Sequence, residues 1–295
     1  MKKYLLGLYE KAMPGNLTWA EKLQAAKNAG FDYVEMSIDE TDEKLARLDM
    51  TDGQFDEIIA AMRAVGLPFR SICLSGHRKY PFGSHDKATQ VRSMEIMEKA
   101  VSLAARLGIR TIQLAGYDVY YEEGDEQTRA DFLKNLKLAT EMASKEGVQL
   151  GFETMETPFM DTVGKAMNYV KLVDSPYLGV YPDVGNITNA ALLYKSDVVE
   201  DLNSGKGHIV AVHLKETVPG KYREIPYGTG HVDFGKVIKT SWALGVRRYV
   251  TEFWYVKGVT QDWRAELENA NKFIKERRKT PSFSYGDISR NKVSA

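Results

Sequence analysis

One punctuation recurs along this chain and limits its fold more than any other feature: a helical stretch, a glycine, a short turn, then an apolar strand. It is written five times, as "NAGFDYVE", "AVGLPFRS", "RLGIRTIQ", "KEGVQLGF" and "ALGVRRYV". Helices commonly end on a glycine in the left-handed conformation. Strands that alternate with helices read as βαβ units of a parallel sheet. Short apolar, β-branched or aromatic runs stand at 4–9, 33–38, 69–75, 110–115, 148–153, 178–182, 208–214 and 248–253. They recur about every 35 residues and are nearly continuous rather than alternating, as in parallel strands buried on both faces.

The intervening segments have helical period. "LTWAEKLQAAKNAG" opens on a Thr18-x-x-Glu21 capping box and closes on Gly30. "ATQVRSMEIMEKAVSLAARLGI" sets Val91, Met94, Met97, Val101, Leu103 and Ala104 on one face before Gly108, and "RADFLKNLKLATEMASKEGV" ends in the same way on Gly147. Eight strands alternating with helices predict an α/β fold, a single (β/α)8 TIM barrel. A doubly wound sheet would carry a glycine fingerprint after its first strand, where "YEKAMPGN" stands instead. The barrel is expected over 1–279, and the aperiodic "TPSFSYGDISRNKVSA" at 280–295 reads as an irregular C-terminal arm.

Composition narrows the function. Forty basic and forty acidic residues cancel, whereas a nucleic-acid binder shows a basic excess or a basic face. The single cysteine, Cys73, excludes an intramolecular disulfide and sits inside "FRSICLSG", as a buried inert thiol would. No run approaches the roughly eighteen apolar residues of a membrane span. The opening "MKKYLLGLYEKAMPG" is interrupted by Glu10 and Lys11 too early for a signal peptide. A cytoplasmic protein is expected, with accidental N-x-T sequons at Asn16 and Asn186.

Four runs in the second half end on a metal-competent side chain: "QLGFE" on Glu153, "LGVYPD" on Asp183, "HIVAVH" on His213 and "RRYVTE" on Glu252. Strand C-termini converge on the active-site face of such a barrel, so these residues are expected to meet around one divalent ion. Three carboxylates and an imidazole suit Mn²⁺, Zn²⁺, Co²⁺ or Mg²⁺ without choosing among them. Any single carboxylate here can instead cap the next helix or pair with a lysine. Four such ends on consecutive strands are what argues for a metal.

The segments "GLYEKAMPG", "YVEMSIDETDEKLARLD", "CLSGHRKYPFGS", "RTIQLAGYDVYY", "YPDVGN" and "GHIVAVHLKET" together resemble the L-ribulose-5-phosphate 3-epimerase family, also called L-xylulose-5-phosphate 3-epimerase. The likeness runs over nearly the whole chain and thins in the last helix and tail. Its wider relatives are the xylose-isomerase-like barrels, among them the D-tagatose and D-psicose 3-epimerases and endonuclease IV. The resemblance implies a divalent metal on Glu153, Asp183, His213 and Glu252, with Glu153 and Glu252 transferring the proton. The chemistry agrees: the C3 proton of a 2-ketose is acidified by the C2 carbonyl, and inversion through a cis-enediolate needs an acid/base group on each face. The implied partner is a ketopentose phosphate, and a homodimer is expected from the wider group.

The supporting residues follow from the same likeness. Asn186 stands where the free-sugar epimerases carry histidine, and Arg223 before "EIPYGTG" matches an arginine ahead of their P-G-x-G segment. Glu156 either holds a hydroxyl or is a solvated loop acid. Phosphate donors are sought in "GHRKYPFGS", at His77, Arg78 and Lys79, and at Lys11 after strand one; an arginine fork matches phosphate geometry. The alternatives are a 3-epimerase of free ketoses, an aldose–ketose isomerase and a non-catalytic metal-binding sugar-binding barrel. Five histidines (His77, His85, His208, His213 and His231) are too few for a three-metal nuclease.

Overall fold

The glycine joints take the conformation their sequence asks for. In the computed structural model, which describes residues 4–278, Gly66 and Gly108 cap their helices with φ of 70° in both cases, and Gly30, Gly147 and Gly245 also have positive φ. At each of these glycines the chain turns and enters the next strand. Thr18 and Glu21 form the expected reciprocal capping box.

Strands and helices alternate, with two helices after β2 and two after β6: β1 (Leu5–Tyr9), α1 (Trp19–Asn28), β2 (Tyr33–Ile38), α2 (Asp42–Leu45), α3 (Asp52–Val65), β3 (Phe69–Leu74), α4 (Lys87–Leu107), β4 (Thr111–Ala115), α5 (Glu126–Lys145), β5 (Gln149–Glu153), α6 (Val163–Val173), β6 (Leu178–Tyr181), α7 (Val184–Tyr194), α8 (Val198–Ser204), β7 (Val212–Leu214), α9 (Phe234–Ala243), β8 (Arg248–Thr251) and α10 (Trp263–Arg278). All strand pairs are parallel, in the order β6-β5-β4-β3-β2-β1-β8-β7. Bridges at Val180–Ile209 and Asp183–His213 carry the pairing from β6 to β7 and close the barrel.

Every residue of β2 and β4 is buried, as strands with helices outside and packed side chains inside must be. A main core of aliphatic and aromatic residues lies between the sheet and the helices. A smaller cluster of Tyr9, Tyr33, Cys73, Tyr181, Ala211 and Val250 fills the barrel interior. Gly7 makes that filling possible, because a Cβ there would lie 2.5 Å from the Tyr33 ring.

Two expectations are corrected. The strand read over 208–214 is regular only over Val212–Leu214, because residues ahead of it touch β6 through the single bridge at Ile209. Val91, expected on the buried face of α4, is 61% exposed. The buried stripe there runs through Ser93, Ile96, Met97, Ala100 and Ala104, and Val91 falls off its edge. The expected arm at 280–295 lies outside the described residues. No described helix is long and apolar enough to cross a membrane.

Candidate metal centre and active site

The four predicted ends arrive at one point by different local routes. Glu153 is the last residue of β5, and His213 is the middle residue of β7. Glu252 follows β8 by one residue, held by its N–H donating to the Leu214 carbonyl at 3.0 Å. Asp183 lies beyond β6 as the N-cap of α7, its Oδ1 accepting the Asn186 N–H at 2.7 Å. The capping role weighed against a metal role is therefore real, yet it occupies one oxygen and leaves the other. One ligand atom from each of Glu153, Asp183, His213 and Glu252 lies within 4.8 Å of all the rest. All four residues are buried.

His213 is oriented by a residue the sequence reading missed. Its Nε2 donates to Glu35 Oε1 at 2.6 Å, which turns Nδ1 toward Glu153 Oε1 at 3.0 Å and Glu252 Oε2 at 3.2 Å. Glu35 is itself held by Ser71 Oγ at 2.7 Å and the Tyr181 hydroxyl at 2.9 Å. A ligating histidine fixed through its other nitrogen by a carboxylate is a recurrent arrangement at metal centres. The signal was a lone charge inside the apolar run "YVEMSI". Gln113 on β4 likewise donates to Glu153 Oε2.

The electrostatics are unbalanced. Burial, then the neighbouring Glu252 charge, pushes the Glu153 carboxyl above its usual range. Burial also raises Asp183 well above its usual range, against the pull of Lys215. At Glu252 burial is outweighed by the Lys215 and His213 charges, so this carboxyl stays below the usual range. Burial opposes a charged His213, but Glu35 and Glu252 outweigh it and raise its pKa well above the ordinary value. Asp183 Oδ2 is buried without a hydrogen-bond partner, and Glu252 Oε2 is buried with only ionic contacts, to His213 Nδ1 at 3.2 Å and Lys215 Nζ at 3.7 Å. A buried, unpartnered carboxylate oxygen is costly, and a divalent cation at their common centre would satisfy both. The residues fit the expected metal.

A hollow of about 60 Å³ opens onto this cluster, walled by Tyr9, Lys11, Arg78, Lys215, Tyr222 and Trp254. Larger hollows lie elsewhere: one of about 500 Å³ around Arg247 and Arg248 contains no carboxylate, so size does not locate the chemistry. Asn186, Glu156 and Arg223 line the small hollow as expected. Asn186 Nδ2 donates to the Thr154 carbonyl at 2.7 Å, while its Oδ1 is buried and unpartnered. Glu156 accepts from the Tyr117 hydroxyl at 2.6 Å and meets Arg223 at 3.3 Å. Lys215, whose Nζ lies 3.3 Å from Asp183 Oδ1, was also missed. Its signal was position, two residues past His213 in "VHLKE" and so on the same side of that strand.

The expected phosphate group divides. Lys11 and Arg78 reach the hollow. His77 does not: it is buried, its Nε2 donates to the Ser93 carbonyl at 3.1 Å, and its ring packs 4.4 Å from that of Phe82. Lys79 also turns away, half-exposed and 3.9 Å from Asp42. Burial lowers the His77 pKa to about 4. The unfolded chain therefore binds a proton below about pH 6.5 that the folded chain refuses. Stability from this group is complete above that pH and is lost as the pH falls toward 4, by about 3 kcal/mol in total. Urea unfolding of His77→Gln from pH 7 to 4 is expected to show a correspondingly flatter pH dependence than wild type; parallel curves would refute this role.

Comparison with known proteins adds to this geometry. A family model described as "Xylose isomerase-like TIM barrel" matches residues 23–276. The chain is 43% identical over 277 residues to the L-ribulose-5-phosphate 3-epimerase UlaE of Escherichia coli O139:H28, covering 94% of this chain and 95% of that protein. It is 44% identical over 290 residues to the putative L-ribulose-5-phosphate 3-epimerase SgbU of Escherichia coli K12, covering 96% and 99%. Among solved structures, a D-allulose 3-epimerase from Methylomonas sp. superposes with a TM-score of 0.77 at 18% identity, over 94% of this chain and 99% of that one.

Proposed function

Because the chain belongs to the L-ribulose-5-phosphate 3-epimerases within the xylose isomerase-like TIM barrels, we propose that it interconverts L-ribulose 5-phosphate and L-xylulose 5-phosphate with a bound divalent metal. The single observation that carries this reading is the buried cluster of three carboxylates and one imidazole, whose ligand atoms all lie within 4.8 Å of one another. A divalent cation held by Glu153, Asp183, His213 and Glu252 would polarise the 2-keto and 3-hydroxyl oxygens of a ketose as a Lewis acid.

The remaining work falls to the chain. One of Glu153 and Glu252 takes the C3 proton, the electron pair moves into the C2–C3 bond to give the cis-enediolate, and the other returns a proton to the opposite face. His213 is kept in one orientation by Glu35, so the two glutamates on its Nδ1 side keep theirs. Asn186 Oδ1 is free to accept from a substrate hydroxyl. The phosphate is assigned to Arg78, with Lys11 beside it. The Arg78 guanidinium lies 5.7 Å and 5.0 Å from the ring centroids of Tyr117 and Tyr120, and its buried Nε has no partner, so a donor remains available. Lys11 is already paired with Asp39 at 2.5 Å.

The test is proton NMR in D₂O after Mn²⁺ loading and removal of the paramagnetic ion for recording. The panel is L-ribulose 5-phosphate, L-xylulose 5-phosphate, their D counterparts and free ketoses. Loss of the C3 proton with appearance of the epimer, for the L-phosphates alone, is the expected result. Exchange strongest with free ketoses would keep the chemistry and remove the phosphate assignment; no exchange with any of them would refute the reading.

Metal binding has its own readout. Titrating chelator-treated protein with Mn²⁺ is expected to raise the unfolding free energy by about 2.7 kcal/mol at a hundredfold excess over Kd. Asp183→Asn, which keeps an oxygen for the α7 cap, is expected to abolish most of that gain. Equal gains in both proteins would exclude Asp183 as a ligand.

A further inference from the structure

The proposed reaction leaves Lys215 without a role, although this residue stands on the wall of the hollow beside both Glu153 and Glu252. It is 4% exposed. Its Nζ lies 3.3 Å from Asp183 Oδ1 and 3.7 Å from Glu252 Oε2, with the Trp254 ring centroid 6.0 Å away. Burying an ammonium is costly unless its donors are matched. A lysine serving only as a counter-ion matches them at short range, as Lys22 does in this protein at 2.6 Å from Glu10 Oε1. Lys215 does the opposite: its contacts are long, and it faces the hollow where substrate must sit. An ammonium carries three donors, and two carboxylate neighbours leave one for a ligand.

We propose that Lys215 is a further catalytic residue, whose ammonium donates a hydrogen bond to the substrate oxygen that becomes negative when the C3 proton is removed. This rests on the epimerase reading. The balance is simple. The C3–H bond breaks, its proton goes to a glutamate, and its electron pair forms the C2–C3 double bond while the C2 carbonyl oxygen takes the charge. Lys215 remains protonated throughout and loses nothing in the return step. Its neighbours suit that role: the Asp183 and Glu252 carboxylates lie within reach of two of its donors, and the Trp254 ring stands 6.0 Å from its tip. A preorganised donor aimed at developing charge in a closed site raises kcat far more than it changes substrate binding.

The test compares wild type with Lys215→Met and Lys215→Arg, each loaded with Mn²⁺. Four quantities are read: kcat, KM, Mn²⁺ affinity by calorimetry, and affinity for a phosphorylated hydroxamate that mimics the enediolate. Lys215→Met is expected to lose about 10²–10³-fold in kcat, with KM nearly unchanged and hydroxamate affinity falling in proportion. Mn²⁺ affinity is expected to stay level or rise, because a neighbouring cation has been removed. Lys215→Arg is expected to recover part of the loss, and it keeps the question open to measurement if the methionine variant does not fold. The proposal is overturned if Lys215→Met keeps a tenth or more of wild-type kcat, if the loss follows weakened Mn²⁺ binding, or if only the pH profile moves while the plateau is kept. That last result would mark a group acting through Glu252. If wild type exchanges the C3 proton of no ketose, the epimerase reading fails and this proposal falls with it, whatever the variants do.

Discussion

Glu153→Gln and Glu252→Gln are each expected to lose about 10²–10⁴-fold in C3 proton exchange, the contribution of one positioned acid–base group. Glutamine keeps the volume of the side chain and removes its capacity to hold a proton. Both residues are among the four that would hold the metal, so each replacement is expected to weaken metal binding as well as proton transfer. Glu153 also accepts from Gln113 and lies 3.0 Å from His213 Nδ1, while Glu252 stands 3.7 Å from Lys215. Exchange measured at saturating Mn²⁺, with bound metal quantified, separates the two effects. Near-normal exchange in either variant with metal still bound would remove that residue from the mechanism.

The second large effect is on stability. Glu10, directly after β1, is 1% exposed and gathers three cations: Lys22 at 2.6 Å, Arg47 at 2.6 Å and Lys44 at 3.2 Å. Arg47 binds both carboxylate oxygens, and the Ser37 N–H donates to Oε2 at 3.0 Å. Removing one partner of a buried pair strands the others, at a cost of about 3–5 kcal/mol; Glu10→Ala is expected to lose that much in urea unfolding. Burial would raise the Glu10 pKa, but Arg47 and Lys22 outweigh it and hold the carboxyl far below the usual range. This contribution is thus present above the ordinary glutamate pKa of about 4.3 and is lost as the pH falls below it. A loss near the 1 kcal/mol or less typical of surface pairs would show that the cluster contributes little to stability. The cluster also has a functional consequence, because it anchors the turn that carries Lys11 into the hollow beside Tyr9.

The periodic features were legible because their causes are local. A glycine that must adopt positive φ, as at Gly66 and Gly108, stands in the chain next to the helix it ends. The Thr18–Glu21 box needs residues three apart, and a strand buried on both faces declares itself by continuous apolarity. Once eight such units alternate, the barrel brings consecutive strand ends together, so Glu153, Asp183, His213 and Glu252 were readable as one group. The weaker readings were those resting on proximity in sequence. His77, Arg78 and Lys79 are neighbours in the chain, but a short 3-10 turn at Gly76–Arg78 sends the histidine inward, while Arg78 lies over Tyr117 and Tyr120.

What the sequence determined alone is therefore the repeat, the closed parallel sheet it demands, and the four strand-end side chains that meet, each a consequence of short-range geometry and strand order. The tertiary structure decided which oxygens of those side chains lack hydrogen-bond partners, that Glu35 reaches His213 across 178 residues of chain, and that Lys215 shares the hollow with both glutamates. Those facts depend on distances across a closed barrel and on burial. Both arise only when segments far apart in the chain are packed against one another.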